Sequence, residues 1–345
     1  MPASNIAANC HLGAVQDGCL WITLPGGPAI GKNLGMHRAP LPEHLTAGSF
    51  SLRMSDKAGV SRTRTEAKDL ATVSRGIRVH LGSDAKGAAA LRAYTELDDS
   101  SALTHVSAAR VWRVVLAWRL EDDWRVHLSR RPGFSMPRRV NVVGHLLNFL
   151  PGELVEYDGV RLTSPARTWL DLASMAGVDE LVIAGDSLVC FHGPEFPAPR
   201  EPLCTEAELR NMVADHPGAR GIRSARAALE LIRVGADSQP ETMMRLALVR
   251  AGLPEPELNH VLWGVHGAPV LWPDAAYVEW RISIQYDGAG HGGAEQYRRD
   301  IRRESLTREH GWLEVRVSKD DLTGDHPAVV RKVRAALESR GWHPR

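Results

Sequence analysis

The chain is poor in cysteine. Four stand in 345 residues, Cys10, Cys19, Cys190 and Cys204, none in a C-x-x-C pair, and a disulfide framework is not expected at this length. It has no run of about 18 apolar residues, so no transmembrane helix is expected. The N-terminus lacks the basic-then-apolar layout of a secretory signal. These absences predict a reduced, cytoplasmic protein with no membrane partner. An excess of charge of one sign is also missing: 42 Lys and Arg face 41 Asp and Glu, for a net charge of +1. That balance neither requires nor excludes nucleic acid, because binding depends on where basic side chains cluster. There is no internal repeat and no low-complexity tract.

Apolar residues make up 43% of the chain, ample for packed cores, and the length suggests two or three domains. The expected class is mixed α/β, an α+β multi-domain chain. Residues 1–35 carry only two charges, Asp17 and Lys32, and the loop-like Leu24-Pro25-Gly26-Gly27-Pro28. They read as a poorly ordered extension, either a flexible arm or a stretch upstream of an initiator at Met36.

Residues 36–82 read as a small helical unit followed by a hairpin, in the order helix, three-residue turn, helix and strand. One helix is expected through Ser51 to Ala58, a turn at Gly59-Val60-Ser61, a second helix from Ser61 to Leu70, and an alternating strand over Ser74–Leu81. That order is the order of a winged helix-turn-helix, whose second helix enters the major groove while the wing touches backbone. Arg62, Arg64 and Lys68 on the second helix and Arg75 and Arg78 on the strand are the candidate DNA contacts. A solvated charged face, with Glu66 and Asp69 interspersed, fits the same text.

Residues 83–235 read as a mixed middle domain. A helix is expected over Ser101–Trp118, strands over Trp124–Leu128 and Arg139–Val143, and a helix capped by Ser164 with Pro165 at its first position. Another helix is expected over Asp179–Val189, then a Pro/Gly-rich loop from His192 to Cys204. His105, His127 and His145 are far apart in sequence and read as packed or surface histidines, not as a metal site.

Residues 236–345 carry the chemistry. A helix is expected from Ser238 to Arg250, strands over Leu258–Val265, Val270–Tyr277 and Arg281–Asp287, and a charged helix over Ala294–His310. A strand over Trp312–Val317 and a helix over Ala328–Ser339 follow, giving the order α-β-β-β-α-β-α. Ser283, Gln285 and Asp287 share one strand face. A turn at 278–281 sets Tyr277 opposite Ile282 and Asp274 opposite Gln285, so Asp274, Gln285 and Asp287 converge. Clustered oxygen ligands are what Mg²⁺ requires, and such an ion activates water and neutralises a transferring phosphoryl group. His291, four residues past Asp287, is a candidate general acid or water-orienting group. Arg298, Arg299, Arg302 and Arg303 offer basic faces to phosphates, with Arg298 and Arg302 as candidate DNA contacts. Each acid also has a plainer reading: Asp274 as a turn former, Asp287-Gly288 as a strand end, and Glu241 as the partner of Arg245 one helical turn on.

Residues 238–334 resemble the Vsr-like (very-short-patch-repair-like) endonuclease branch of the PD-(D/E)XK superfamily. The matching text is Pro240-Glu241, Trp272-Pro273-Asp274, Ile284-Gln285-Tyr286-Asp287-Gly288, His291, Arg299-Asp300, Gly311-Trp312 and Val315-Arg316-Val317. The resemblance implies a restriction-endonuclease-like αβββαβ core, Mg²⁺ dependence (with Mn²⁺ as a substitute) and DNA hydrolysis. Glu241 matches the helix acid, Asp274 the central metal ligand and Asp287 the second acid of an E-x-D-G pattern. Gln285 stands where that branch has Glu, which removes one full negative charge from the site. Residues 38–190 are more loosely similar to the AbiEi antitoxin family, which joins a winged helix to a mixed domain with a Thr-Ser-Pro-x-Arg-Thr segment, here Thr163–Thr168. Two functions are therefore expected as alternatives. One is a DNA-binding, Mg²⁺-dependent endonuclease with Glu241, Asp274, Gln285, Asp287 and His291 in its site. The other is an antitoxin-like transcriptional regulator with a degenerate nuclease fold.

Overall fold

The computed structural model describes residues 11–13, 21–23, 39–264, 266–288, 294–324 and 327–344. The chain is a mixture of helices and several small sheets, and it divides into two compact units, Met1–Met175 and Ala176–Arg345.

In the first unit, β1 (His11–Gly13) and β2 (Trp21–Thr23) pair antiparallel; the rest of the expected extension over 1–35, and the expected initiator Met36, lie outside the described residues. Then come α1 (Glu43–Thr46), β3 (Ser49–Ser51), α2 (Leu52–Lys57), α3 (Arg62–Thr65), β4 (Leu70–Ser74) and β5 (Ile77–His80). The strands form an antiparallel sheet in the order β3-β5-β4. Ser51 and Ser61 begin α2 and α3 by accepting from the backbone N–H groups of Met54 and Arg64, each quenching one donor that the first helical turn leaves free.

Two expectations change here. The second helix ends at Thr65 instead of Leu70, and the strand expected over Ser74–Leu81 shortens to Ile77–His80, the second arm of the expected hairpin, which turns at Arg75-Gly76. Ala71 and Val73 alternate inward onto the same core as Ile77 and Val79, so period-2 burial outweighs continuation of the helix. The turn needs Gly76, whose φ is +76°.

The unit continues with α4 (Gly87–Glu96), β6 (Ala102–Leu103), α5 (His105–Val111), α6 (Trp118–Glu121), β7 (Val126–Arg130), β8 (Val142–Leu146), β9 (Leu154–Tyr157), β10 (Val160–Thr163) and α7 (Pro165–Leu172). Its five-stranded sheet has the order β8-β7-β6-β10-β9, with β7 and β8 parallel. The helix expected over Ser101–Trp118 does not run through. It opens as strand β6, turns into α5 and stops where Arg113 takes φ +58°. Ser164 caps α7 through the Arg167 N–H, with Pro165 in the first turn, as the sequence indicates. Leu91 and Tyr94 of α4 lie in one core with Ile77 and Val79 of the three-stranded sheet and Leu103, Leu128 and Leu162 of the five-stranded one.

The second unit opens with α8 (Val178–Val189), α9 (Glu206–Asp215), α10 (Ile222–Leu229) and α11 (Gln239–Arg250). The short pair β11 (Leu262–Trp263) and β12 (Pro269–Leu271) precedes β13 (Ala275–Tyr277), β14 (Ile282–Asp287), α12 (Ala294–Glu309), β15 (Leu313–Ser318) and α13 (Ala328–Ser339). The strand expected over Val270–Tyr277 is split at Trp272-Pro273-Asp274 into β12 and β13, where Pro273 has no N–H to give a ladder. Strands β13, β14 and β15 form a sheet with β13/β14 antiparallel and β14/β15 parallel. Met244 and Leu248 of α11 and Val329, Val333 and Leu337 of α13 cover Ile282, Ile284 and Val317.

The unit begins at Ala176, so the boundary expected at 236 falls inside it, and a buried ion pair ties α8 to α11 across that position. Arg245 of α11 reaches Asp186 of α8 at 2.8 Å, and both side chains are 1% exposed. Asp186 also accepts from Thr242 and from the Arg233 N–H, so α8 is fastened to α11. Among the described residues no helix is long and apolar enough to cross a membrane.

Candidate functional site

The hairpin of β13 and β14 sets Tyr277 opposite Ile282 and Ala275 opposite Ile284. One step further along this register Asp274 meets Gln285. Gln285 donates its amide Nε2–H to Asp274 Oδ1 at 2.8 Å, and the Tyr286 N–H donates to Oδ2 at 2.6 Å. Both Asp274 oxygens are thus aimed by the strand. Burial raises its pKa above the ordinary carboxylate value against the pull of the Tyr286 N–H and Arg303, and the charges of Asp237 and Asp287 push the same way as burial.

Glu241 lies in the first turn of α11. Its carboxylate accepts from the Ser238 hydroxyl at 2.6 Å and the Asp237 N–H at 3.1 Å. Burial, then the charge of Asp274, then that of Asp237 raise its pKa. Glu241 therefore sits within electrostatic reach of Asp274 and is not the partner of Arg245. That arginine is taken by Asp186 and, at 3.1 Å, by Glu255.

Asp287 lies at the end of β14 on the Gln285 face and is half-exposed. Arg303 of α12 approaches it at 3.4 Å and Arg316 of β15 at 4.0 Å. Arg298 and Arg302 are exposed on α12. The side chain of Arg299 and the whole of His291 lie outside the described residues.

The site offers oxygen atoms of the kind a hard cation takes. Two carboxyls are pushed up by burial and by neighbouring negative charge, which a divalent ion relieves. Gln285 spends its NH₂ on Asp274 and so keeps its carbonyl oxygen as a neutral ligand. Asp274, Gln285 and Asp287 would hold the ion.

In the first unit the expected DNA contacts separate into two groups. Arg62, Lys68 and Arg75 are exposed, Arg62 with its guanidinium on Asp56. Arg64 instead grips Asp69 with both terminal nitrogens, at 2.9 and 2.8 Å, and the Ala39 carbonyl with Nε. Arg78 donates to the carbonyls of Thr65 and Ile77, and burial lowers its pKa.

The structure also assembles groups that the sequence keeps far apart. His105, His127 and His145 each bring one ring nitrogen within 4.8 Å of the others. His127 Nδ1 lies 3.1 Å from His145 Nε2, and the rings of His105 and His145 stack at 3.9 Å. Burial and the neighbouring imidazoles hold His105 well below its ordinary value and bring His145 down to about 4. The signal that could have found them is the strand pairing. His127 lies opposite Val143 in the parallel β7/β8 ladder, which leaves His145 two residues along on the same face. Cys190, His192 and Asp237 form a second such group, in which burial pushes the Cys190 thiol up to about 12.

No family model matches the chain, and no solved structure matches it. It is 27% identical over 219 residues, covering 63% of this chain and 76% of the relative, to "Uncharacterized protein Rv2248" of Mycobacterium tuberculosis strain H37Rv. The same figures hold for "Uncharacterized protein MT2308" of strain CDC 1551.

Proposed function

We propose that the second unit is a restriction-endonuclease-like αβββαβ domain of the Vsr-like kind, hydrolysing DNA phosphodiester bonds with Mg²⁺ or Mn²⁺. In this reading α3 and the β4/β5 hairpin of the first unit form a winged helix-turn-helix, joined to an AbiEi-like mixed domain, and bring DNA to the protein in the cytoplasm. The observation that carries the reading is Asp274, oriented by Gln285 and the Tyr286 N–H and sharing its field with Glu241. A divalent ion bound there supplies charge neutralisation of the phosphate and a more acidic water. Water adds to phosphorus, one P–O ester bond breaks, and the proton passes to the leaving oxygen. Glu241, kept protonated more readily than an ordinary carboxyl, can exchange that proton. Arg298 and Arg302 face the flanking phosphates.

A second reading, an antitoxin-like transcriptional regulator with a degenerate nuclease fold, draws on two observations. Gln285 replaces a charge, and Arg303 and Arg316 lie near Asp287. Nicking of supercoiled plasmid in Mg²⁺, Mn²⁺ and EDTA separates the two. Metal-dependent nicking by the wild type, lost in folded Asp274→Ala, is the expected result. DNA binding without nicking in any metal overturns the nuclease reading and leaves the regulator.

A further inference from the structure

We propose that His105, His127 and His145 form a Zn²⁺ site in the first unit, independent of the nuclease reading, with water as the fourth ligand. Three imidazoles from three elements each bring a ring nitrogen within 4.8 Å of the others: His105 opens α5, His127 lies in β7 and His145 in β8, the edge strand of the five-stranded sheet. Zinc takes imidazole nitrogen at about 2.0–2.1 Å in tetrahedral geometry, which sets adjacent nitrogens about 3.3 Å apart. The observed 3.1 Å between His127 Nδ1 and His145 Nε2 is close to that edge.

The surrounding groups fix which nitrogens carry lone pairs. Asp123 Oδ2 faces His127 Nε2 at 3.2 Å, and a carboxylate accepts only, so Nε2 holds the proton and Nδ1 carries the lone pair, met in this structure by His145 Nε2 at 3.1 Å. This is the carboxylate–histidine arrangement that supports metal ligands. At His105 the chain of partners is longer. Thr104 gives its hydroxyl proton to Asp171 Oδ2 at 2.5 Å, so its oxygen accepts from His105 Nδ1–H at 3.1 Å. The Nε2 lone pair of His105 remains, met in this structure by the Ser174 hydroxyl at 3.1 Å. Asp171 is held in turn by Arg167 at 2.8 Å. His105 is kept at φ +50°, a backbone region that a non-glycine residue adopts at an energetic cost. His145 is half-buried, which gives an ion a way in, and three imidazoles with one open position suit zinc better than Mg²⁺.

The test is zinc titration of the full chain at pH 7.5, with metal content after gel filtration, Co²⁺ absorption and Tm with and without chelator. The wild type is expected to bind zinc at this site with Kd below about 1 μM, to give visible d–d bands of tetrahedral Co²⁺, and to melt higher with zinc. His192→Ala, which disrupts the other cluster, keeps this equivalent, and folded His145→Ala loses it. Asp123→Asn leaves all three imidazoles in place and weakens binding by about 10- to 100-fold. Absence of a bound equivalent in the wild type overturns the site, as does an equivalent retained by both His145→Ala and Asp123→Asn with unchanged affinity.

Discussion

Gln285 donates its amide to Asp274 across the β13/β14 hairpin at 2.8 Å, so the residue that departs from the pattern of the proposed nuclease is also the one that holds Asp274. A glutamate there would face Asp274 as a like charge and lose the donated hydrogen bond. Without metal, Gln285→Glu is therefore expected to be less stable, by about 1–2 kcal/mol, at pH 8. Mg²⁺ should restore the loss and bind more tightly than in the wild type, with faster nicking. Melting curves in EDTA and in Mg²⁺ check this, and a variant indifferent to Mg²⁺ contradicts the proposed ligand set.

The pH dependence follows from Glu241 and Asp274. Both are acids with folded-state pKa values raised by burial and like charge. Above the unfolded-state pKa the unfolded chain has released protons that the folded chain still binds, so stability falls as pH rises through that window. The metal-free protein should lose stability between about pH 5 and pH 8 through these groups, and Glu241→Gln should flatten the decline. Metal affinity should rise over the same range, because the ion competes with the protons. Tm against pH for wild type and Glu241→Gln, with and without Mg²⁺, decides it.

Removing one side of the Asp186–Arg245 pair strands a charge in the core. Asp186→Ala and Arg245→Ala should each destabilise the second unit by about 3–5 kcal/mol. The double variant should cost clearly less than the sum, since neither charge is then left alone. Urea unfolding of the four proteins measures the coupling. An additive cycle would mean that α8 and α11 are held by packing alone.

The arginines of the first unit should separate by what they touch. Replacing exposed Arg62, Lys68 and Arg75 with Ala should weaken DNA binding and lower its salt slope by about one for each phosphate no longer neutralised. Arg64→Ala and Arg78→Ala should instead lower Tm, because these side chains satisfy Asp69 and backbone carbonyls. An unchanged salt slope in the exposed triple variant would remove this face from DNA recognition.

By itself the sequence determined what is local. The cap at Ser164, the opening of a helix at Ser238 and the span of the last helix follow from neighbours in the chain. The facing of Asp274 and Gln285 was also legible, because a short turn between antiparallel strands fixes their register. What depended on distant partners was decided only by the tertiary structure. The helix expected to continue to Leu70 yields to a strand because Ala71 and Val73 find a core built from β5 and α4. Arg245 passes over Glu241, one turn away on its own helix and held by Ser238 and the Asp237 N–H, for Asp186, 59 residues earlier, where both side chains are 1% exposed and Asp186 also accepts from Thr242. His127 and His145 meet because β7 and β8 pair in parallel, and His105 joins them from the start of α5. A parallel pairing has no short turn to announce it, so its register is written in the packing of the sheet and not in the text between the strands.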